Sequence, residues 1–211
     1  MKKQLSEFIG TFLLLATVVG SGIMATNLSA DHGVDLLINA IATVFVLGVL
    51  ITIFGPISGA HFNPVVSLYF LFRKKLSTRD FIAFSLVQVS GAVLGTWFAN
   101  AMFSHPTFEV SVHHRAVLGT FLGEVVATFG LLLVIAMKPQ SASLLVPAWI
   151  GAAYFFTSST SFANPAVTIA REFTNSFSGI APSSVLAFVA AQLLGLLLLL
   201  AIKPLLKVDE S

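Results

Sequence analysis

The sequence has 211 residues, of which 56% are hydrophobic and only 9% charged, and its mean hydropathy is +0.95. Soluble domains carry about a quarter charged residues, so this composition excludes a soluble globular protein and indicates a chain folded in lipid. The absence of cysteine excludes disulfides and cysteine-based metal sites. The net charge of +2 does not indicate nucleic-acid binding, because the basic residues lie in short hydrophilic gaps between apolar runs.

The chain begins with two lysines, an apolar stretch and then small residues, which is the pattern of a secretory signal. We interpret this segment as the first membrane span instead, because the second half of the chain repeats its motif. A disposable leader would have no reason to be repeated.

Six segments are apolar over the roughly 20 residues that a membrane-spanning helix requires. Two further apolar segments, after Asn63 and Asn164, are long enough to cross only about half of the bilayer. The predicted spans are 5–25, 35–54, 81–103, 117–137, 143–160 and 183–203.

Three motifs occur in the same order in both halves of the chain. They are Glu7-x-x-x-Thr11-Phe12 with Glu124-x-x-x-Thr128-Phe129, Asn63-Pro64 with Asn164-Pro165, and Phe84-x-x-x-Gln88-x-x-Gly91 with Phe188-x-x-x-Gln192-x-x-Gly195. Each half has three spans, an odd number, so the second half lies upside down relative to the first. An inverted repeat places its functional site near the midplane of the bilayer. We expect a single domain, residues 1–211, with repeat halves at about 1–103 and 117–205.

The basic residues orient the chain. With the N-terminus inside, nine of the eleven lysines and arginines lie on the cytoplasmic side, as the positive-inside rule requires. These nine are Lys2, Lys3, Arg73, Lys74, Lys75, Arg79, Lys138, Lys203 and Lys207, and only Arg115 and Arg171 fall outside. We therefore expect a multi-pass protein of the cell's inner (plasma) membrane with both termini cytoplasmic.

The two Asn-Pro pairs predict two helix starts at the membrane centre. Asn is a favoured N-cap and Pro a favoured first helical residue, so Asn63-Pro64 and Asn164-Pro165 each begin a half-helix. A helix start carries about +0.5 of an elementary charge and unpaired N–H groups. Two such ends that face one point repel cations and hydronium, while the Asn amides donate hydrogen bonds to a passing oxygen. For one Asn-Pro pair alone, an ordinary turn or cap would be the favoured interpretation. Two pairs at equivalent positions of the repeat, within apolar surroundings, favour a pore.

The backbone before each pair, residues 55–62 and 157–163, is expected to be irregular. Irregular backbone is tolerated at this depth only where it lines a wet cavity. We therefore expect its carbonyl groups to form a ladder of acceptors for the permeating solute. The residues assigned to this ladder are Gly59, Ala60, His61, Phe62, Phe162 and Ala163.

The segments SGAHFNPVVS and SFANPAVTIA resemble the two signature loops of the aquaporin (major intrinsic protein) family, and the Glu and Gln repeats extend the resemblance over essentially the whole chain. Val65 departs from it, since the family usually has Ala there. The resemblance implies an all-α membrane protein with six transmembrane helices and two re-entrant half-helices. It also implies a pore in each subunit and a homotetramer.

Glu7 and Glu124 are acidic residues inside predicted spans, where acidic residues usually mark function. One interpretation is the coupling carboxylate of a proton-driven transporter. The repeat and the resemblance favour a structural role, in which each carboxylate accepts hydrogen bonds from a re-entrant loop. Gln88 and Gln192 are interpreted in the same way.

Two smaller features complete the pattern. Gly91-x-x-x-Gly95 and Gly195 are small residues that allow helices to approach closely. The outer loop holds His105, His113 and His114; a metal or pH-sensing site is one interpretation, but a hydrated loop is favoured.

The selectivity filter is where the sequence departs from the family. By the resemblance, four positions near the outer mouth form it, and counting from the motifs without gaps places them at Thr43, Ala152, Ser161 and Val167; Phe45 enters if the second span is shifted. The family has a nearly invariant Arg three residues after the second Asn, and here Val167 stands there. Losing the guanidinium removes a fixed cation and a fork of donors. This substitution predicts a wider, less cationic opening.

Two neighbours of Val167 qualify this prediction. Arg171 lies four residues further on, near the same helix face, and is a candidate for a cation at the outer vestibule. The alternative, which we favour from sequence, is an interfacial arginine that reaches the headgroups or pairs with Glu172. Thr168 stands where family glycerol channels usually carry Asp, so the sequence does not indicate a dedicated glycerol facilitator.

We therefore predict a passive channel for water and small neutral solutes, among them urea, polyols and undissociated metalloid acids such as arsenite. We expect no enzymatic activity, no cofactor and no metal. The expected partners are the lipid bilayer, other copies of this chain in a homotetramer and small neutral solutes, with no nucleic acid. A secondary transporter with broken helices and a structural membrane protein with a closed pore are the alternatives.

Overall fold

The computed structural model describes residues 1–206, and every regular element within them is helical. Five helices are long and apolar enough to cross a membrane: α1 (Lys2–Leu28), α2 (His32–Ser58), α4 (Thr78–Met102), α5 (Leu118–Met137) and α8 (Pro182–Ile202). The sixth, α6 (Ala142–Phe156), has 15 residues and continues a 3₁₀ turn at Pro139–Ser141. The short helices are α3 (Pro64–Phe72) and α7 (Pro165–Ala170). Lys207, predicted to be cytoplasmic, lies outside the described residues.

Helix α2 is longer than its predicted span at both ends. The Asp31 carboxylate caps it by accepting hydrogen bonds from the N–H groups of Gly33 and Val34, at 2.7 and 3.3 Å. The helix then runs through Pro56 and ends at Gly59, which has a φ of 93°. Residues 55–58 are therefore helical, and the prediction of irregular backbone there was wrong. A proline in the last turn removes one donor, whereas a left-handed glycine ends the helix.

The fifth span was predicted four residues too long. Helix α6 ends at Phe156, and Thr157 is extended, with φ −102° and ψ 141°. The chain from Thr157 to Ala163 is therefore irregular, as the repeat predicted.

The two short helices begin at the Asn-Pro pairs. The Asn63 Oδ1 accepts a hydrogen bond from the N–H of Val65 at 3.0 Å. The Asn164 Oδ1 accepts from the N–H groups of Ala166 and Val167, at 2.9 and 3.4 Å. Proline at the first helical position loses no hydrogen bond, because its missing N–H would have no partner within the helix.

The packing follows the inverted repeat. Helix α1 packs against α2 and α4, and its counterpart α5 packs against α6 and α8. Contacts between α2 and α6 join the halves, and α3 and α7 pack against α4 and α8 in the interior. The two half-helices also contact each other, so their N-termini meet inside the bundle.

Close packing depends on all three glycines that the sequence analysis singled out. A Cβ added at Gly91 would lie 2.5 Å from the carbonyl oxygen of Phe8, and one at Gly95 would overlap the carbonyl oxygen of Phe12. In the second half, a Cβ at Gly195 would lie 2.8 Å from the carbonyl oxygen of Val125. The prediction that these small residues allow close helix approach is confirmed.

Candidate functional site

The two loops that precede the half-helices share one unusual backbone. Three residues in each loop have a positive φ, and each lies 101 residues from its counterpart, the spacing of the two asparagines (164 − 63 = 101). The pairs are Gly59 and Thr160, Ala60 and Ser161, and Phe62 and Ala163. A left-handed non-glycine residue costs of the order of 1–3 kcal/mol, so surrounding groups must hold these loops in place.

In the first loop this group is Glu7, a fully buried residue of α1. Its Oε1 accepts hydrogen bonds from the N–H of His61 at 3.0 Å and from the Ser58 hydroxyl at 2.6 Å. Its Oε2 accepts from the N–H of Phe62 at 2.6 Å and from the Gln88 side chain at 2.8 Å. The carboxylate therefore binds four donors and fixes two successive loop amides.

Glu124 repeats the arrangement in the second loop. Its two oxygens accept hydrogen bonds from the N–H groups of Phe162 and Ala163, each at 2.8 Å. Gln192 donates to the same carboxylate at 2.7 Å. Neither glutamate lines the cavity described below, which is the arrangement of a loop support rather than of a coupling carboxylate.

Two hydroxyl residues that the sequence analysis did not assign complete these networks. The Gln88 amide also donates to Ser67 at 3.1 Å, and the Gln192 amide to Thr168 at 2.9 Å. Ser67 and Thr168 lie on the half-helices at the same 101-residue spacing as the asparagines (168 − 67 = 101). That spacing is the sequence signal that could have identified them as a pair.

Each of the two asparagines donates a hydrogen bond to the loop of the opposite half. Asn63 Nδ2 donates to the carbonyl oxygen of Ala163, and Asn164 Nδ2 donates to the carbonyl oxygen of Phe62, both at 2.8 Å. An amide nitrogen carries two N–H groups, so each asparagine keeps a second donor. Both asparagines line the cavity, where that donor can meet a solute.

A cavity of about 550 Å³ runs through the helix bundle. Both half-helix starts lie on its wall, and Gln140, in the turn after α5, and Arg171, in the turn after α7, also line it; we call the part lined by Arg171 the Arg171 end. All six residues assigned to the carbonyl ladder line it: Gly59, Ala60, His61, Phe62, Phe162 and Ala163. The His61 ring is stacked on Phe70 at 4.6 Å, with Nδ1 3.0 Å from the Ser67 hydroxyl.

Three of the four predicted filter residues meet at the Arg171 end of this cavity. Thr43, Ser161 and Val167 are buried and line it. Ala152 does not; it is exposed on the outside of the bundle, so this assignment was wrong. The alternative, Phe45, is 71% exposed and also lies outside.

Tyr154 occupies the wall where Ala152 was expected. Its hydroxyl lies 3.1 Å from the Thr43 hydroxyl, and its side chain is buried. Two residues along a helix rotate a side chain by about 200°, which carries Ala152 to the opposite face. The signal was present in the sequence, since Val146, Ile150 and Tyr154 follow the four-residue spacing of one helix face and all three are buried.

Arg171 is the second correction. It is only 3% exposed and lines the cavity, so the interpretation as an arginine that reaches the headgroups was wrong. Its guanidinium keeps a cation in the cavity wall, so the prediction of a less cationic opening was also wrong. Its Nε donates to the carbonyl oxygen of Ser178, and its guanidinium carbon lies 3.6 Å above the centre of the Phe162 ring. The 3₁₀ turn Arg171–Phe173 that follows α7 positions it there, and no ion pair with Glu172 occurs among residues 1–206.

The outer-loop histidines form no metal site within the described part of the chain. The His114 Nδ1 lies 3.0 Å from the Ser183 hydroxyl. The same loop supplies Arg115, whose guanidinium carbon lies 5.6 Å above the Phe162 ring.

Comparison with known proteins shows which family has this sequence and architecture. The family model of the major intrinsic protein family matches residues 1–161. The chain is 48% identical to the aquaglyceroporin AqpS of Rhizobium meliloti (strain 1021) over 205 residues, covering 95% of this chain and 88% of that protein. It is 33% identical to the aquaporin TIP2-3 of Arabidopsis thaliana over 162 residues, covering 72% of this chain and 64% of that one.

The fold agrees with a solved structure. The X-ray structure of the aquaglyceroporin from Plasmodium falciparum superposes with a TM-score of 0.75 at 20% identity, covering 95% of this chain and 94% of that one. At this identity the likeness shows the fold alone, and the sequence matches show the family. The chain belongs to the major intrinsic protein family and is a multi-pass membrane channel for water and small neutral solutes, not an enzyme.

Proposed function

We propose that the cavity is the conducting pore and that its Arg171 end is the selectivity filter. The observation that carries this proposal is the convergence of Thr43, Tyr154, Ser161 and Val167 on the cavity wall. The hydroxyl groups supply hydrogen bonds to a polar solute, and Val167 supplies an apolar surface. A small neutral solute can therefore hydrogen-bond to the hydroxyl groups while it passes the apolar part of the wall.

The absence of a guanidinium at Val167 favours solutes larger than water. Valine leaves space that the longer arginine side chain would fill, and it donates no hydrogen bonds. The relative AqpS, whose name describes an aquaglyceroporin, supports the same class of solute. We propose urea, small polyols and undissociated metalloid acids such as arsenite as the permeating solutes.

The proposed barrier to ions lies at the centre. The N-termini of α3 and α7 meet there, and their partial positive charges repel cations and hydronium. Asn63 and Asn164 offer the passing oxygen one donor each, while the loop carbonyls accept. A water held between these groups cannot relay a proton onward along an unbroken chain.

The test is stopped-flow light scattering on proteoliposomes, with water, urea, glycerol and arsenite as solutes. We expect the wild-type channel to pass the neutral solutes and Val167→Arg to suppress them more strongly than water. Val167→Leu is the matched control, because it adds bulk without charge. If Val167→Leu suppresses solute entry as strongly as Val167→Arg does, size alone sets the filter. Solute entry that neither substitution changes would place the constriction elsewhere and contradict the filter assignment.

We propose further that residues 1–211 act as one channel domain in the inner membrane, with both termini cytoplasmic. The distribution of basic residues supports this orientation. The exposed apolar side chains, such as Phe45 at 71%, Leu144 at 70% and Leu186 at 79%, suit contact with lipid or with like copies. The resemblance to the family supports a homotetramer, which native mass spectrometry of the detergent-solubilised protein would test.

A further inference from the structure

Arg171 is unusually constrained for a cationic residue. Its Nε is bound to the carbonyl oxygen of Ser178, and its guanidinium carbon lies over the Phe162 ring, 3.6 Å from the ring centre. An arginine stacked on an aromatic ring with one nitrogen anchored has a preset orientation. The edge of the guanidinium formed by its two terminal nitrogens, which we call the binding edge, is therefore held in position before any ligand binds.

That binding edge is unoccupied by protein. Within residues 1–206, Nε is the one guanidinium nitrogen of Arg171 that donates a hydrogen bond to the protein. A guanidinium has five N–H donors in a fixed fork, so the two terminal nitrogens keep theirs. Because Arg171 is 3% exposed and lines the cavity, these donors can be satisfied only by what enters the cavity.

A neighbouring hydroxyl is also unpaired. The Oγ of Ser161 is buried and has no hydrogen-bond partner in the described structure. Ser161 lines the same end of the cavity, next in the chain to Phe162, on which Arg171 stacks. The two terminal nitrogens of Arg171 and the Ser161 hydroxyl are therefore three groups of the cavity lining that can donate to a ligand.

Electrostatics at this end favours an anion. Arg115 lies over the same ring, with its Nε bound to the carbonyl oxygen of Gly179 at 2.8 Å and its Nη2 to that of Phe177 at 3.0 Å. Three successive carbonyl groups, those of residues 177–179, thus hold two guanidinium groups side by side. Glu124 lies near both guanidinium groups, but its two oxygens are bound to the loop amides and to Gln192.

We propose that Arg171 and Ser161 form a binding site for a small monovalent carboxylate, and that a carboxylate bound there obstructs the passage of neutral solutes. A carboxylate has two oxygens at the spacing of the guanidinium fork, and its negative charge complements the Arg171 cation. The binding part of this inference is independent of the proposed function, and the obstruction rests on it.

Urea entry into proteoliposomes measures the obstruction, with sodium formate compared against sodium chloride at equal ionic strength and pH 7.5. We expect formate to slow urea entry through the wild-type channel, and Arg171→Gln to raise the half-inhibiting concentration about tenfold or more, as loss of a charge-assisted hydrogen bond implies. Arg171→Lys should weaken inhibition less, because it keeps the charge but loses the fork. Arg79→Gln removes an exposed arginine on α4 and should leave inhibition unchanged.

Line broadening of ¹³C-formate in solutions of the detergent-solubilised protein measures binding without transport. We expect broadening with the wild type and with Arg79→Gln, less with Ser161→Ala, and none with Arg171→Gln. Arg171→Lys decides the matter if Arg171→Gln does not fold. Formate binding by a protein that passes no neutral solute would overturn the proposed function and keep the site. Rapid urea entry that formate does not slow, together with sharp formate lines, would overturn the site and keep the channel.

Discussion

Asn63 and Asn164 each donate a side-chain hydrogen bond to the residue that precedes the other, Asn63 to the carbonyl oxygen of Ala163 and Asn164 to that of Phe62, both at 2.8 Å. Each also caps its own half-helix through Oδ1. One side chain thus joins a helix start in its own half to a loop of the other half. At the centre of the channel the two asparagines form a reciprocal pair of hydrogen bonds between the loops, which we call the clasp. Asn63 and Asn164 should therefore be energetically coupled.

The first prediction concerns this coupling. Asn63→Ala and Asn164→Ala each remove a cap and a cross-loop donor, and loss of an Asn cap alone costs about 0.5–2 kcal/mol. The double substitution should cost less than the two single costs combined, because the second removes a clasp already weakened by the first. Thermal unfolding of the four proteins in detergent measures the cycle, and additive losses would contradict the clasp.

The second prediction concerns the buried carboxylates. Glu124→Gln replaces one acceptor oxygen with an N–H₂ group, which then faces the N–H of Phe162 or Ala163. Leaving a buried donor unpaired costs about 1–3 kcal/mol, so we expect a lower Tm and slower entry of every solute. The ratio of urea to water permeability should stay near its wild-type value, because the loop support is not part of the filter.

Glu109→Gln is the control for this substitution. Glu109 accepts one hydrogen bond, from the N–H of Asn175 at 3.3 Å, which an amide oxygen can also accept. A Glu124→Gln channel that kept its Tm but lost proton-dependent uptake would instead revive a coupling role for the carboxylate.

The third prediction separates Tyr154 from Ala152. Tyr154→Ala removes a buried ring and the hydroxyl next to Thr43, so it should widen the Arg171 end of the cavity and raise glycerol permeability relative to that of water. Ala152→Leu should change neither permeability, because residue 152 is exposed outside the bundle. Stopped-flow measurements on both variants decide which residue contributes to the filter, and a selectivity change in Ala152→Leu alone would reverse the assignment.

The fourth prediction concerns helix packing. Gly95→Ala places a methyl group against the carbonyl oxygen of Phe12, which cannot move without shifting α1. Overpacking of this kind typically costs about 1–3 kcal/mol, so the Tm should fall. Gly119→Ala is the matched control, since its Cβ would meet only the Ser158 hydroxyl at 3.6 Å, and an equal loss of Tm in both variants would contradict the close-packing argument.

Several features of this protein followed from its sequence because they depend on local patterns. Apolar length gave the spans, the Asn-Pro pairs gave the half-helix starts, and the paired Glu and Gln motifs gave the inverted repeat. A helix start is determined by the cap and the first few residues, so Asn63 and Asn164 could be assigned without a tertiary structure. The resemblance of the two loops then implied the fold.

The filter could not be assigned in the same way. A two-residue error in counting along α6 exchanged Tyr154 for Ala152, because a helix turns by about 100° per residue. The left-handed backbone of the loops could not be predicted from the sequence either, since Ala, Phe, Thr and Ser all adopt it here against their usual preference. Buried hydrogen bonds to Glu7 and Glu124 override that preference.

The sequence by itself thus determined a membrane channel built from two inverted halves that meet at Asn63 and Asn164. Only the tertiary structure decided which side chains face the cavity, and it placed Arg171 inside rather than at the headgroups. The physical reason is that the spacing of apolar residues indicates only which face of a single helix is buried. The position of Arg171 depends instead on the residues that its side chain contacts elsewhere in the chain. Ser178 and Phe162 hold its guanidinium in the cavity wall, and neither contact is visible in the spacing of residues along the chain.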